Sequence, residues 1–222
     1  MSLNIDQETS RILSNIASKP SLSPFVDFKL PIPCAHRGIG EIKLIILGQD
    51  PTIENEHSRR MITEVLKLNK PGKLRDYISR ICHGLELDLD MNIYATNYLK
   101  NFFIDPPTKI KEIDVFKEFA PYWLPLLKEE LAEFPQVPII TLGKPVLSMI
   151  VCQGASFDLK EYWGYKHNWK LVGRGEFRYI APSDNCVKRH IFPFPHQQNN
   201  YIPFFSKYFE YYLAFTKKEL GL

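Results

Sequence analysis

Residues 42–55 read IKLIILGQDPTIEN, and the fold turns on how that stretch is read. Ile42 to Leu47 is an apolar run, interrupted by one lysine and rich in β-branched residues. So short a run, stopped by a glycine, predicts a strand over 42–47 buried on both faces. Gly48 permits a sharp turn or a close approach of backbone to a ligand. Pro51 fixes its own φ and biases Asp50 toward an extended conformation. The chain thus leaves a buried strand and presents Gln49 and Asp50 at its carboxyl end, where open parallel sheets bind ligands. Taken alone, an Asp after a strand is more commonly a turn or cap residue.

Outward from this stretch, strands and helices alternate, which predicts an α/β protein. A second strand over 93–96 delivers Asn97. A third over 138–142 ends at Gly143-Lys144-Pro145 and opens a helix running to about 152. Residues 177–181 and 191–194 are further strand candidates. Helical spacing of apolar residues predicts helices over 4–18, 73–85, 114–134 and 201–220. Asp114 caps the third of these, and Pro121 and Pro125 are expected to kink or split it. The aromatic stripe of the closing helix reads as core. Residues 52–72 read as a loop, with a helix over 57–69, covering the mouth of the site. Residues 153–175 read as an insertion rich in Tyr, Trp and Gly. Neither GxxxxGK[ST] nor GxGxxG occurs, which argues against a phosphate loop and a dinucleotide fold.

The chain has 222 residues, enough for one domain (1–222) with a sizeable core. No apolar run approaches the roughly 20 residues that span a bilayer. MSLNIDQETS lacks the basic-then-apolar order of a signal peptide. The net charge of +3 permits nucleic-acid binding without arguing for it. Cys34, Cys82, Cys152 and Cys186 are far apart and form no CxxC pair, so they read as buried, reduced thiols rather than cluster ligands.

GQDP at 48–51 resembles the first motif of the uracil-DNA glycosylase superfamily, written GQDPY in its best-known branch. Asn97 in ATNYLKNFF and the Pro-rich FPFPHQQN at 192–199 follow in the order that superfamily requires. Leu74-Arg75 resembles the LR-rich helix after the first motif, PIITLGKP resembles a strand–Gly–Lys–Pro segment, and Tyr98 onward resembles the NYCPL stretch of the single-strand-selective branch. The likeness covers about residues 40 to 200. It implies a three-layer α/β/α fold with a central four-stranded, mainly parallel sheet. It also implies a monomeric, cytoplasmic enzyme that flips a damaged base from single- or double-stranded DNA and hydrolyses its N-glycosidic bond. Such an enzyme uses no metal and no organic cofactor.

In that reaction the sugar carbon becomes cationic and the base leaves as an anion. The resemblance places Asp50 below the sugar to activate water, Gln49 against the base edge, and Asn97 on the base's N3 and O4 edge. Three departures stand out. The His of the usual HPSP motif is replaced by Phe192, which donates no hydrogen bond; losing such a donor costs ~100-fold or more in rate. His196 and His190 remain as alternative donors, although His196 also aligns with the wedge residue that fills the gap left by a flipped base. Thr52 stands where the GQDPY branch keeps the Tyr that excludes thymine, so strict uracil selectivity is not expected. No aromatic lies between Pro51 and Asp76 to stack on a flipped base, which leaves Met61, Ile62, Phe102 or Phe103 for that place. Arg59, Arg60, Lys144, Lys188 and Arg189 are the candidate phosphate contacts. No suitably placed lysine nucleophile for a lyase step is evident. The competing expectation is a glycosylase-like module that binds DNA or nucleobases with little turnover.

Overall fold

The computed structural model describes residues 5–166, 170–171, 176–197 and 204–222. Its strands are β1 (His36–Arg37), β2 (Leu44–Gly48), β3 (Ile93–Asn97), β4 (Ile139–Leu142), β5 (Tyr165–Lys166), β6 (Lys170–Leu171) and β7 (Ile191–Phe194). Its helices are α1 (Ile5–Ala17), α2 (Glu56–Arg59), α3 (Lys73–Gly84), α4 (Leu89–Asn92), α5 (Val115–Ala132), α6 (Lys144–Ile150), α7 (Leu159–Tyr162) and α8 (Phe209–Leu220). The main sheet has five strands in the order β1-β3-β2-β4-β7, not four. β2, β3, β4 and β7 run parallel; the additional strand, β1, is a two-residue antiparallel edge on β3. So short a segment carries no alternation of apolar and polar residues, which is why it escapes a reading by periodicity.

Every residue of β2, β3, β4 and β7 is buried, as parallel strands covered on both faces require. α1, α5 and α6 pack together as one helical group, and α3 packs with α8 as another. α5 runs unbroken through Pro121 and Pro125. The two prolines are four residues apart and both exposed, so the carbonyls they leave unpaired face water and the helix is not split. The helix expected over 57–69 shrinks to α2 and a separate 3-10 turn, Val65–Lys67. Of the strand expected over 177–181, only an isolated bridge from Ile180 to Ile191 forms. The 153–175 insertion contains α7 and the small β5–β6 hairpin, with 167–169 and 172–175 outside the described residues. The closing helix begins as a π-helical turn, Phe204–Tyr208, before α8; residues 201–203 lie outside the described residues. Phe204, Phe209 and Tyr212 are core residues there, in line with the reading of that aromatic stripe. Among the cysteines, Cys82 is buried but Cys34 is exposed. Among the described residues, no helix is long and apolar enough to cross a membrane.

One ion pair is sealed inside this fold. Lys100 Nζ lies 2.5 Å from Glu130 Oε2 and 2.6 Å from Thr96 Oγ1, and it donates to the Asn97 carbonyl at 3.1 Å. It thereby joins the end of β3 to α5. Removing one member of such a pair leaves a buried charge without a partner, at a cost of about 3–5 kcal/mol. Glu130→Ala should lower the unfolding free energy by about that much in urea titration, and the double change Glu130→Leu/Lys100→Met should restore most of it.

Candidate functional site

The site lies at the carboxyl edge of the parallel sheet. Gly48 pairs with Asn97 across β2 and β3, and the chains stay zipped beyond the sheet: Tyr98 N donates to Gly48 O, and Leu99 N to Gln49 O, each at 2.9 Å. On the other side, β4 pairs with β7 up to Leu142 and Phe194, and Gly143 N donates to Phe194 O at 2.8 Å. Asp50 therefore stands two residues beyond the end of β2, and His196 two residues beyond the end of β7. Both line a cleft of about 280 Å³, together with Thr52, Ile62, Leu66 and Lys67. That volume is at the small end for ligand pockets, about 300–1,000 Å³.

Asp50 is held from two sides. Gln49 Nε2 donates to Oδ1 at 2.6 Å, and Thr52 N donates to Oδ2 at 2.8 Å. Gln49 is thus committed to the carboxylate rather than reaching outward. Thr52 also accepts a bond at Oγ1 from Phe103 N at 2.8 Å, which pins the turn after Pro51 to the segment after β3. Burial pushes the Asp50 carboxyl up to about 6, against the opposing pull of the Thr52 and Gln49 hydrogen bonds and the Arg59 charge. At neutral pH the group is still mostly ionised, with a pKa close to the working range of a general base.

Among the described residues of FPFPHQQN, His196 and Gln197 line the cleft. Phe192 lies inside β7, paired with Ile140, 1% exposed and packed against Tyr179 and Phe215. It is a core residue and does not line the cleft. His190 precedes β7, at the opposite end of the strand from the cleft. His196 is the histidine at the cleft. Its Cβ packs 3.4 Å from where a side chain on Gly143 would begin. Gly143, with φ of +94°, makes the turn that lets the two loops meet. Tyr77 Oη donates to Pro195 O at 3.0 Å and anchors the segment from α3. Burial, aided by the nearby Lys67 charge, lowers the His196 pKa, so its imidazole is neutral at pH 7.

Asn97 stands beside Asp50's strand but does not line the cleft. It is 1% exposed, and its Oδ1 is buried without a hydrogen-bond partner among the described residues. Leu66, itself a wall of the cleft, meets the same space above Gly48. Of the four candidates for the place against a flipped base, Ile62 lines the cleft, whereas Met61 is exposed outside it and Phe102 and Phe103 are buried in the core. The apolar part of the cleft wall is aliphatic, set among polar groups, with no Phe, Tyr or Trp among its described lining residues.

The predicted phosphate contacts divide. Arg59 is 4% exposed and donates to the carbonyls of Ile53, Phe103 and Ile104. It is an internal clamp, not a surface contact. Arg60 is exposed and paired with Glu56 at 3.0 Å. Lys144 is exposed beside the cleft, 5.1 Å from the Phe157 ring centre. Lys188 and Arg189 precede β7, so they lie at the opposite end of the sheet from the cleft, and Arg189 reaches back to Leu131 O. Leu66 and Lys67 were not singled out by sequence, because they sit in a polar stretch with no motif. Both have left-handed backbone, φ of 54° and 57°.

The raised Asp50 pKa also ties stability to pH. The folded value, about 6, exceeds the reference of 3.8, so this group favours the folded state below about pH 4 and loses that contribution as pH rises through 6. Asp50→Asn should be close to neutral for stability at pH 4 and stabilising by about 2–3 kcal/mol at pH 7.5, read by thermal or urea unfolding at both values. No protein-family description matches this chain, and no curated protein resembles it in sequence, so the geometry of the cleft stands alone as the guide to activity.

Proposed function

We propose that the protein is a monofunctional DNA glycosylase that takes a flipped uracil-like base into the cleft and hydrolyses its N-glycosidic bond. The observation that carries this reading is the shared level of Asp50 and His196 at the carboxyl edge of one sheet, facing one cleft. An N-glycosidic bond breaks with positive charge on the sugar and negative charge on the departing base. A carboxylate on one side and a hydrogen-bond donor on the other match that separation. Asp50, ionised and clamped by Thr52 and Gln49, stabilises the cation and orients water. His196, neutral, donates an N–H to the leaving base. This assignment makes good the donor that Phe192 lacks. The aliphatic wall of Ile62, Leu66 and Leu74 excludes water and covers the base without aromatic stacking.

A second reading, a nucleobase- or DNA-binding module with little turnover, is favoured by one observation. Asn97 is 1% exposed and does not line the cleft, so the amide expected to read the base does not face it. The two readings part on product formation. Oligonucleotides carrying uracil, hypoxanthine or xanthine, single- and double-stranded, are incubated with the protein and assayed for abasic sites. The enzyme reading expects release that rises with pH around a midpoint near 6, the value of Asp50. It expects release to be abolished by Asp50→Asn and lowered ~100-fold by His196→Ala. Binding without product supports the module. Release that survives Asp50→Asn contradicts the mechanism.

A further inference from the structure

A second cavity of about 420 Å³ adjoins the first and shares Ile53, Ile62, Lys67, Leu74 and Gln197 with it. Its lining includes Lys67, Lys70, Lys73, Arg75 and His57, with no Asp or Glu among the described residues. Arg75 is already engaged, by Leu68 O and by Asp90. Lys70 and Lys73 are exposed on the rim. Lys67 differs from both. It is partly buried, it lines both cavities, and it makes no side-chain hydrogen bond or ion pair among the described residues. Its neighbours in sequence do not neutralise it: Glu64 is spent on His36, at 2.8 Å.

A partly desolvated cation without a counter-charge gains from an anion placed beside it. The backbone adds to this. Leu66 and Lys67 are consecutive non-glycine residues in the left-handed region, a strained conformation for residues that carry a Cβ. The turn is held by its packing against β3 and α3, and by the bonds from Lys67 N to Glu64 O and from Val65 N to Cys34 O. The lysine is thus fixed at the junction of the two cavities, close enough to His196 to influence its charge.

We infer that Lys67 is the anion-binding residue of this site, receiving an oxyanion of the substrate at the junction between the cleft and the basic cavity. Two sources share that chemistry: the departing base anion and a backbone phosphate flanking the extruded nucleotide. The inference rests on the glycosylase reading for the identity of the substrate, but the cation's role in binding does not require turnover.

The test compares wild type, Lys67→Met and Lys67→Arg on single-stranded oligonucleotides carrying uracil or 5-fluorouracil, with binding measured across a salt series. A base-anion contact predicts that Lys67→Met loses about 100-fold in release of uracil, several-fold less for the more acidic 5-fluorouracil, and that Lys67→Arg restores part of it. A phosphate contact predicts equal losses for the two bases and a salt slope shallower by ~0.7, restored by Lys67→Arg. Either pattern supports the inference. If wild type releases base and Lys67→Met matches it in rate and in salt slope, the inference fails while the glycosylase reading stands. If wild type releases neither base but Lys67→Met flattens the salt slope, the anion site stands and the glycosylase reading fails. A wild type that neither releases base nor binds the oligonucleotides overturns both.

Discussion

A methyl group built on Gly48 would lie 2.4 Å from Asn97 Oδ1 and 2.5 Å from a Leu66 methyl, both closer than side-chain carbons approach other atoms. A side chain at position 48 would have to displace the buried Asn97 amide or Leu66, two neighbours of the turn that carries Asp50. Bare backbone lets β2 and β3 keep their pairing past the end of the sheet, with Tyr98 and Leu99 donating to the carbonyls of Gly48 and Gln49. The chain is then committed to a direction before it reaches Asp50. Thr52 closes the turn by donating to Asp50 through its amide and accepting from Phe103 through its hydroxyl. The carboxylate is positioned by the Thr52 amide and the Gln49 side chain, on a turn that main-chain bonds tie to the sheet, which is the condition for an electrostatic site to cost little reorganisation.

The charges around this point are sorted by what each can reach. Arg59 turns inward and joins the 53 loop to the 103–104 segment through three carbonyls, where a planar guanidinium with several donors fits better than an ammonium could. Lys100 also turns inward, but against Glu130, and so holds the Asn97 carbonyl from below. Lys67 is left facing the cleft. Arg59 and Lys100 are thus consumed by the scaffold that holds Asp50 and Asn97 in place, whereas Lys67 borders the space a substrate would fill.

Much of this fold was legible because its parallel strands are apolar runs ended by Gly or Asn, as at Leu44–Gly48 and Ile93–Asn97, and because α3 and α5 carry helical spacing of buried residues. The pairing that brings Gly48 beside Asn97 follows from two such strands pointing the same way. The last strand, Ile191–Phe194, has the bounds its sequence predicts, but the role of its residues was less legible. FPFPHQQN reads as a loop motif when its prolines are aligned, yet Pro193 sits within β7 at the edge of the sheet, where a strand can lack one donor. A strand ending at Phe194 carries Phe192 into the core and His196 to the cleft. β1 was invisible because two residues carry no period. The positions of Arg59 and Arg189 were invisible because burial of a cation depends on carbonyls brought from distant segments, Phe103 in one case and Leu131 in the other.

The least favourable local interactions near the motif gather at the Val65–Lys67 turn. Asn97 Oδ1 is buried without a donor among the described residues, which costs about 1–3 kcal/mol relative to a satisfied acceptor. Leu66, whose methyl comes close to the same point above Gly48, holds a left-handed backbone, and Lys67 repeats the conformation with a cation that no described acid neutralises. The core a few residues away shows the opposite pattern. There Trp123 Nε1 finds Asn101 Oδ1 at 2.9 Å, Trp163 Nε1 finds Pro193 O at 2.9 Å, and Lys100 finds Glu130. A sequence selected only for stability would relieve the turn, for example with Gly at 66 or an acid within reach of 67. Keeping a strained leucine and a bare lysine on the wall shared with Asp50 and His196, with the orphaned Asn97 oxygen close to the leucine, locates the part of the molecule shaped for something other than folding.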